Sequence, residues 1–412
     1  MKIGLLSYRS HPYSGGQGIY VTHLSKALTD LGHQVTVFSG PPYPNLDPKV
    51  SLVKVPSLDL YSRSNKFSDV SISELMNPLN FFEWLSINSG GFPEPYTFGK
   101  RVLKYIKHNK SDFEIILDNQ SLSGSLLRIQ EILPLVVTIH HPITKDHKLE
   151  MQNATSWKEK LSSKRWHNFL PMQKRVAPKL KKIICVSKPS KKDVVEEFHV
   201  DPNRIEVILN GIDINTFSPC SFDKREENKI ITTASADIPL KGLKYLVKAL
   251  PKILHSFPKT TLTVIGKSPN NSEVSKLIEE LNLSNVITFR SGISEKEIVD
   301  LYHSSELAVI PSLYEGFGFG AGEAMACGVP LISTHSGGLE EVVGDAALKI
   351  MPSSAEEIEK AVIKLFNNPE DMRKLSTKGR QRMEEIFDWK IAASSYESSF
   401  KAVIESFINE YN

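Results

Sequence analysis

The sequence predicts an α/β protein built from two doubly wound units, in which helices cover parallel sheets. Short apolar runs rich in β-branched residues alternate with amphipathic stretches along nearly the whole chain, a pattern typical of strands and helices around parallel sheets. The 412 residues exceed the usual size of one domain. We therefore expect two domains, formed by residues 1–190 and 191–388.

The apolar runs locate the individual elements. In the first half, strands are predicted at Lys2–Ser7, Gln34–Phe38, Val50–Val55, Glu114–Leu117, Leu135–Ile139 and Lys182–Val186. In the second half they are predicted at Lys229–Ala234, Thr261–Ile265, Asn285–Arg290, Leu307–Pro311, Val329–Ser333 and Ala347–Ile350. A last strand and turn, 204–211, lead into a polar stretch at 218–228, so the linker is expected between residues 190 and 228.

The connection 56–98 interrupts this alternation with two aromatic-rich segments, 77–85 and 90–98. A connection of this length inside a compact domain is usually functional. Aromatic side chains at helical spacing are also common in ordinary cores. Both a functional segment and an additional packed helix therefore stay open.

Bulk properties exclude several classes of protein. No apolar run approaches the roughly 18 residues of a membrane span, and Met1–Ser10 is predicted as a strand and not a signal peptide. The three cysteines have no paired spacing, which argues against a disulfide framework and a thiolate metal site. We expect a cytoplasmic protein.

The net charge of +3 conceals an asymmetry between the two halves. Residues 1–190 hold 25 Lys+Arg and 14 Asp+Glu, a balance of +11, and residues 191–412 hold 25 and 33, a balance of −8. The excess is greatest at 145–182, where tryptophans accompany the lysines. This pattern fits a solvated helical face or peripheral contact with an anionic membrane. No nucleic-acid-binding motif is present, so nucleic acid is not expected as a partner.

The most informative segment is a glycine-rich junction between two glutamates, Glu315-Gly316-Phe317-Gly318-Phe319-Gly320-Ala321-Gly322-Glu323. It follows the predicted strand 307–312 and opens a helix. Unpaired backbone N–H groups at such an opening favour a phosphate, and glycines let the backbone approach a ligand closely. A tight turn with two solvated glutamates is the structural alternative.

The junction and the residues after it, Ala324-Met325-Ala326-Cys327-Gly328-Val329-Pro330, resemble the hallmark of the retaining family-4 glycosyltransferases of GT-B fold. Further blocks follow in that family's order: Ser14-Gly15-Gly16, Leu31–Val35, Thr138-Ile139-His140, Asn210–Asp213, Lys241-Gly242, Pro311-Ser312 and Gly337–Val343. The resemblance covers nearly the whole chain. It implies two Rossmann-like domains facing each other across a cleft, with the final helix, 389–412, packing back on the first.

The resemblance also implies the chemistry, which is transfer of a hexose from a nucleotide sugar to a glycan or lipid-linked acceptor with retention of configuration. Lys241 would be the cation for the leaving diphosphate, Glu315 would face the sugar, and Glu323 would bind the ribose hydroxyls. His140 would lie at the reacting centre. The nucleotide sugar would also be bound by residues of the glycine-rich loops: Gly15, Gly16, Gly316, Phe317, Gly318, Phe319 and Gly320.

One departure from the family pattern concerns the diphosphate. An arginine is usual five residues before the lysine, where this chain has Ala236. Lys267, Arg290 or the backbone itself would then take its role. No Asp-x-Asp pair follows a strand in a nucleotide-binding context, so neither a metal nor a separate cofactor is expected.

Parts of the sequence also fit other classes of function. Two carboxylates also fit a glycosidase, but a hydrolase needs no phosphate site. Gly15-Gly16-Gln17-Gly18 resembles a dinucleotide fingerprint, although the second strand does not end on the acidic residue such a site requires. A catalytically weak nucleotide-sugar binder and a GT-B epimerase remain open.

Overall fold

The computed structural model describes residues 1–11, 16–154, 156–221, 224–236, 238–268 and 272–411. The chain forms two compact units, one of residues 1–208 with 392–412 and one of residues 209–391. The division follows Ile208, whereas the predicted domain boundary follows residue 190. The reason is that the helix Lys188–Phe198 and the strand Ile205–Val207 complete the first sheet and do not belong to a linker.

The first unit contains a sheet of seven parallel strands among its described residues. The strands are β1 (Lys2–Ser7), β2 (Gln34–Ser39), β3 (Ser51–Lys54), β4 (Ile115–Asn119), β5 (Leu135–Ile139), β6 (Ile183–Cys185) and β7 (Ile205–Val207). Their order is β3-β2-β1-β4-β5-β6-β7, so the order reverses between β1 and β4. Ligands of doubly wound sheets bind at the carboxyl ends of the strands beside such a reversal.

Nine helices are described in this part of the chain. They are α1 (Gly16–Asp30), α2 (Ile72–Leu75), α3 (Pro78–Asn88), α4 (Glu94–His108), α5 (Leu126–Ile129), α6 (Thr144–Asn153), α7 (Trp157–Trp166), α8 (Leu170–Val176) and α9 (Lys188–Phe198). The aromatic connection 56–98 thus becomes α2, α3 and the start of α4. Helix α3 buries its polar residues Glu83 and Ser86 and exposes Phe81, Phe82 and Leu85, which is the reverse of an ordinary core helix.

The second unit contains a sheet of six parallel strands within the described ranges. The strands are β8 (Glu226–Thr232), β9 (Thr261–Ile265), β10 (Ile287–Arg290), β11 (Ser305–Ile310), β12 (Leu331–Thr334) and β13 (Leu348–Ile350). Their order is β10-β9-β8-β11-β12-β13, with the reversal between β8 and β11. Both sheets therefore have the doubly wound topology that the sequence predicts, which confirms the fold class.

The helices that follow β8 are α10 (Leu243–Ser256), α11 (Glu273–Glu280), α12 (Glu295–Ser304), α13 (Phe319–Ala326), α14 (Leu339–Val343), α15 (Ala355–Phe366), α16 (Pro369–Ile386) and α17 (Trp389–Tyr411). No helix in the described ranges is long and apolar enough to cross a membrane.

The two sheets are buried on both faces, as expected for parallel sheets. Core clusters surround each sheet and contain mostly aliphatic strand residues. The last helix, α17, agrees with the predicted final helix 389–412 among the described residues, and its residues from Ala392 belong to the first unit. There Tyr396 and Phe400 are fully buried, and Ser399 donates a hydrogen bond of 2.9 Å to Glu206.

Candidate active site

The glycine-rich junction lies at the carboxyl end of β11, beside the reversal in the second sheet. Gly318 has φ = +109° and caps α13 without a side-chain hydrogen bond to the first turn. A Cβ at Gly320 would lie 1.9 Å from Thr233 Oγ1, in the loop after β8. The amino end of α13 is therefore held against the end of β8 at a distance only glycine permits, and its N-cap residue, Gly318, has no side chain to cap the first-turn amides.

Lys241 and Glu315 are brought together by this arrangement. Lys241 ends a 3₁₀ turn at Pro239–Lys241, and Leu313 donates a backbone hydrogen bond of 2.7 Å to Leu240. Lys241 Nζ lies 2.5 Å from Glu315 Oε1. Ser312 Oγ donates to the same carboxylate oxygen at 3.1 Å. A cation and a carboxylate thus stand next to each other at the carboxyl edge of the sheet, although 74 positions separate them in sequence.

Glu323 lies on α13, one turn beyond its first residue, Phe319. The hydroxyl of Tyr302 lies 3.4 Å from Glu323 Oε2 and 3.1 Å from the carbonyl oxygen of Gly320. Burial, with a further contribution from the charge of Glu323, raises the pKa of Tyr302 well above its ordinary value. The phenol therefore stays protonated and donates toward the carboxylate and the start of α13.

Gly337 and Gly338 form a second glycine loop against the first. The backbone N–H of Gly338 donates to the carbonyl oxygen of Glu315 at 2.7 Å. Gly337 has φ = +54°, and a Cβ there would meet the same oxygen at 2.3 Å. A Cβ at Gly338 would lie 2.2 Å from the carbonyl oxygen of Gly316. The two loops therefore fix each other's backbone around the Glu315 turn.

Ala236, which occupies the position of the usual arginine, is 8% exposed in the loop after β8. The two alternative cations lie on the neighbouring strands of the sheet. Lys267 follows β9, and its backbone N–H donates to Ser235 Oγ at 3.1 Å. Arg290 ends β10, and its carbonyl oxygen accepts a backbone bond of 2.8 Å from Gly266. Both alternatives thus lie on the same edge as Lys241.

In the first unit, His140 follows β5 at the carboxyl edge and is held by Asn119, which ends β4, and by Gln120, which follows it. Its Nε2 lies 2.7 Å from Asn119 Oδ1. The amide nitrogen of Asn119 donates to Ser7 Oγ at 3.3 Å, so the amide oxygen faces the imidazole and Nε2 carries the hydrogen. Gln120 accepts from the His140 backbone N–H at 2.7 Å and donates to the His141 carbonyl oxygen at 2.7 Å. Gln120 has φ = +53°, a strained conformation for a residue with a side chain.

The environment of His140 keeps its ring neutral. Burial and, as a smaller contribution, the neighbouring His141 together lower the pKa of His140 to about 3. The rings of Tyr20 and His140 pack edge to face, with their centroids 4.7 Å apart and their planes at 85°. The hydroxyls of Tyr20, Thr138 and Tyr396 form a buried triangle with sides of 2.8, 2.9 and 3.0 Å. The helix α17 is thereby tied to the strand that presents His140.

Other predicted residues are less informative. Gly16 begins α1, whereas Ser14 and Gly15 lie outside the described residues. Phe317 is buried and its ring contacts Phe319 at 5.1 Å between centroids. His141 is bonded to Asp146 at 3.0 Å, away from the Asn119 contact. Within the described ranges, no three His, Cys, Asp or Glu side chains converge to hold a metal ion.

Asn119, Gln120, Tyr20 and Tyr302 were not predicted from the sequence. Asn119 could have been predicted from the sequence, because a polar residue at the end of a buried strand next to β5 is expected to face the same edge. Gln120 was not, because its role depends on a left-handed backbone conformation that glutamine rarely adopts. Tyr20 and Tyr302 lie on helices far in sequence from their partners, so only packing identifies them.

Comparison with known proteins agrees with this geometry. Residues 14–216 match the model of Glycosyltransferase Family 4, and residues 216–382 match that of Glycosyl transferases group 1. The chain is 41% identical to the MMP α-(1→4)-mannosyltransferase of Mycolicibacterium hassiacum over 409 residues, which are 98% of each chain. It is 24% identical to the glycogen synthase of Mycobacterium tuberculosis over 96% of this chain and 93% of that one.

Solved structures resemble it in fold. Sucrose-phosphate synthase from Thermosynechococcus elongatus has a TM-score of 0.75 at 22% identity, with 98% of this chain and 99% of that chain covered. Anabaena HepE in complex with UDP-glucose has a TM-score of 0.70 at 17% identity, with coverage of 98% and 100%. The family matches, the mannosyltransferase relative and the two parallel sheets together show that this chain belongs to glycosyltransferase family 4 and is a glycosyltransferase of GT-B fold.

Proposed function

We propose that the protein transfers a hexose, with mannose the first candidate, from a nucleoside-diphosphate sugar to a carbohydrate acceptor with retention of anomeric configuration and without a metal ion. The observation that carries the proposal is the Lys241–Glu315 pair, 2.5 Å apart beside the glycine-capped amino end of α13. The choice of mannose rests on the relative named as a mannosyltransferase.

The roles follow from charge. Departure of a nucleoside diphosphate builds negative charge on its terminal phosphate, which a fixed cation and oriented N–H groups stabilise. Lys241 and the first turn of α13 supply both. The carboxylate of Glu315 would then face the positive charge that develops on the sugar, and Glu323 would accept hydrogen bonds from the ribose hydroxyls. Gly316 and Gly318, in the turn before α13, would let the backbone approach the sugar closely.

The neutral ring of His140 suits a hydrogen bond to a sugar hydroxyl and does not suit stabilisation of the diphosphate. Its Nε2–H is bound to Asn119, which leaves the lone pair of Nδ1 as the acceptor. In the proposed retaining path the acceptor hydroxyl attacks on the face that the diphosphate leaves, and the diphosphate takes the proton. The chain's own residues then need to position and stabilise, with no general base among them.

A thermal-shift panel tests the nucleotide part of the proposal. UDP, GDP, ADP and their hexose conjugates are added with chelator present to the wild type, to Glu323→Ala and to Glu370→Ala, a matched exposed glutamate on α16. A nucleotide at about 100 times its dissociation constant should add about 2.7 kcal/mol of stability. We expect one base to stabilise the wild type and Glu370→Ala but to lose most of its effect in Glu323→Ala.

Retention of anomeric configuration is tested on the product of the reaction. Product formed from the preferred nucleotide sugar is examined by NMR while it accumulates, because the one-bond carbon–proton coupling at the anomeric carbon reports its configuration. Product of inverted configuration would contradict the proposal. Stabilisation by a nucleotide sugar without any transfer would favour the second candidate, a nucleotide-sugar binder, which the alanine at position 236 supports.

We also propose peripheral contact with an anionic membrane through α7. Trp157 is 70% exposed there, and Lys158, Lys160 and Lys164 are exposed around it. Each basic side chain near an anionic surface contributes about 1 kcal/mol. The wild type should co-sediment with phosphatidylserine liposomes at low salt, and the triple lysine-to-alanine variant should not. Failure of the wild type to co-sediment would remove this part of the proposal.

A further inference from the structure

A cluster of polar and aromatic side chains stands at the carboxyl edge of the first sheet, apart from His140. It consists of Arg9, Tyr61, Phe92, Glu94 and Trp166, and we name it the Arg9–Glu94 cluster. Arg9 lies just after β1, and Glu94 is the first residue of α4. Tyr61 belongs to the connection after β3, and Trp166 ends α7.

Two polar atoms of the cluster lack a hydrogen-bond partner in the part of the chain that the structure describes. Glu94 Oε2 and the hydroxyl of Tyr61 are buried and have no hydrogen-bond partner within the described ranges. The nearest cation, Arg9 Nη1, lies 3.6 Å from Glu94 Oε2, beyond hydrogen-bond distance. Burying such groups without partners costs free energy. A ligand that offers hydroxyl groups would supply the missing partners.

A neighbouring buried carboxylate, by comparison, has a full set of hydrogen-bond partners. Glu83 on α3 is more deeply buried, and its oxygens accept hydrogen bonds from Arg101 Nη1 at 2.5 Å, Thr97 Oγ1 at 2.5 Å and the backbone N–H of Leu58 at 3.1 Å. The fold thus satisfies one buried glutamate fully with its own groups. Glu94, three residues before Thr97 on α4, has an oxygen without a hydrogen-bond partner among the described residues.

Aromatic rings form the wall of the cluster. The guanidinium of Arg9 lies 5.2 Å from the centroid of the Tyr61 ring. Trp166 lies 4.9 Å from Phe92 and 5.9 Å from Tyr61 between centroids, and it is 40% exposed. A hexopyranose has an apolar C–H face and a rim of hydroxyls. Its face matches an exposed aromatic ring, and its hydroxyls match a carboxylate beside a guanidinium.

Hydrogen bonds connect the cluster to His140. Ser7 Oγ donates to the carbonyl oxygen of Arg9 at 3.0 Å and accepts from Asn119, which also holds His140. Strand β4 separates β1 from β5 in the sheet. Two strand spacings correspond to about 10 Å, so the cluster lies along the same edge as His140, at a distance an acceptor of more than one sugar residue can bridge.

We propose that the Arg9–Glu94 cluster is a subsite that binds one sugar residue of the acceptor. Glu94 and Arg9 bind its hydroxyls, Tyr61 donates or accepts one further hydrogen bond, and Trp166 packs on its apolar face. This assignment rests on the proposed function, because it identifies the acceptor as a carbohydrate. It assigns specificity to residues outside the glycine loops and His140.

The test uses Tyr61→Phe and Glu94→Gln, which remove a hydroxyl or a charge and keep the shape of the side chain. Matched controls are Tyr105→Phe, a half-exposed tyrosine on α4, and Glu356→Gln, an exposed glutamate on α15. The probes are methyl α-D-mannopyranoside and methyl α-(1→4)-mannobioside, with inorganic phosphate as a third ligand. Saturation-transfer NMR measures probe binding, and thermal shift with nucleoside diphosphates is recorded separately.

We expect the wild type and both controls to bind the mannobioside, and Tyr61→Phe and Glu94→Gln to bind it at least about tenfold more weakly, or about 1.4 kcal/mol, with unchanged nucleotide binding. Equal affinity in all five proteins would overturn the subsite, as would a wild type that binds neither sugar. Binding of phosphate and not of sugar would overturn the ligand class. A wild type that shows no thermal shift with any nucleoside diphosphate would instead count against the proposed function.

Discussion

Replacement of Glu94 by glutamine should stabilise the protein at neutral pH and leave it unchanged at acidic pH. Burial raises the pKa of the Glu94 carboxyl from 4.5 to about 7, and Arg9 offsets only part of this effect. The folded state therefore binds the proton more tightly than the unfolded state. Stability from this group is complete below pH 4.5 and falls as the pH rises to about 7.

The magnitude follows from the two pKa values. At about 1.4 kcal/mol per pH unit, the rise from 4.5 to about 7 corresponds to a cost of about 3 kcal/mol above pH 7. Glutamine cannot ionise, so Glu94→Gln avoids this cost. Its gain in the free energy of unfolding over the wild type should be near zero at pH 4 and about 3 kcal/mol at pH 8.

Urea unfolding followed by circular dichroism at several pH values measures this difference. The pKa of Asp118, which burial raises to about 6, affects both proteins equally and cancels in the comparison. Glu356→Gln is the control, since this exposed carboxyl pairs with Lys360 and has a lowered pKa. A difference between Glu94→Gln and the wild type that does not change with pH would refute the reasoning.

Four further predictions concern the residues of the candidate active site and the hydroxyl triangle of Tyr20, Thr138 and Tyr396. Lys241→Ala should lower kcat/KM by about a hundredfold or more, the usual effect of removing a group that stabilises charge in the transition state. An unchanged kcat/KM would show that Lys241 does not take part in the reaction. Gly320→Ala should abolish nucleotide binding in thermal-shift assays, because its Cβ would meet Thr233 Oγ1 at 1.9 Å, and Thr233→Ala should restore part of it. Because the pKa of His140 is lowered to about 3, kcat/KM should show no acid limb from this ring between pH 5 and 8; a limb near 6.5 that His140→Gln removes would contradict this. Tyr396→Phe should lower the free energy of unfolding by about 1–3 kcal/mol, since it leaves buried hydroxyls with fewer partners, and denaturant titration that shows no loss would count against the hydroxyl triangle.

The positions of the strands were largely predictable because each is a short, continuous apolar run. Lys2–Ser7, Leu135–Ile139 and Thr261–Ile265 were predicted with the bounds that the structure gives. The boundary between the units was less predictable. The sequence predicts a strand within 204–211 but puts it inside the expected linker range, and only the pairing of residues 205–207 with β6 places them in the first sheet.

The connection 56–98 shows a second limit of sequence reasoning. Its aromatic residues predict either a functional segment or a core helix, and helical spacing alone does not say which face is buried. In the structure α3 turns Phe81 and Phe82 outward because Glu83 is bound by Arg101 and Thr97 on α4. A salt bridge between two helices, which no local pattern encodes, decides the orientation of the aromatic face.

The sequence by itself determined the sheets, the glycine-rich junction and the identity of the residues that present charge there. These depend on local patterns: hydrophobic runs, glycine spacing and the order of motifs along the chain. Tertiary structure alone decided that Lys241 lies 2.5 Å from Glu315 and that Asn119 fixes the tautomer of His140. It also decided that Glu94 Oε2, 3.6 Å from Arg9, has no hydrogen-bond partner among the described residues. Contacts between residues far apart in sequence set distances, burial and pKa values, because these quantities depend on which strands become neighbours and not on the residues taken one segment at a time.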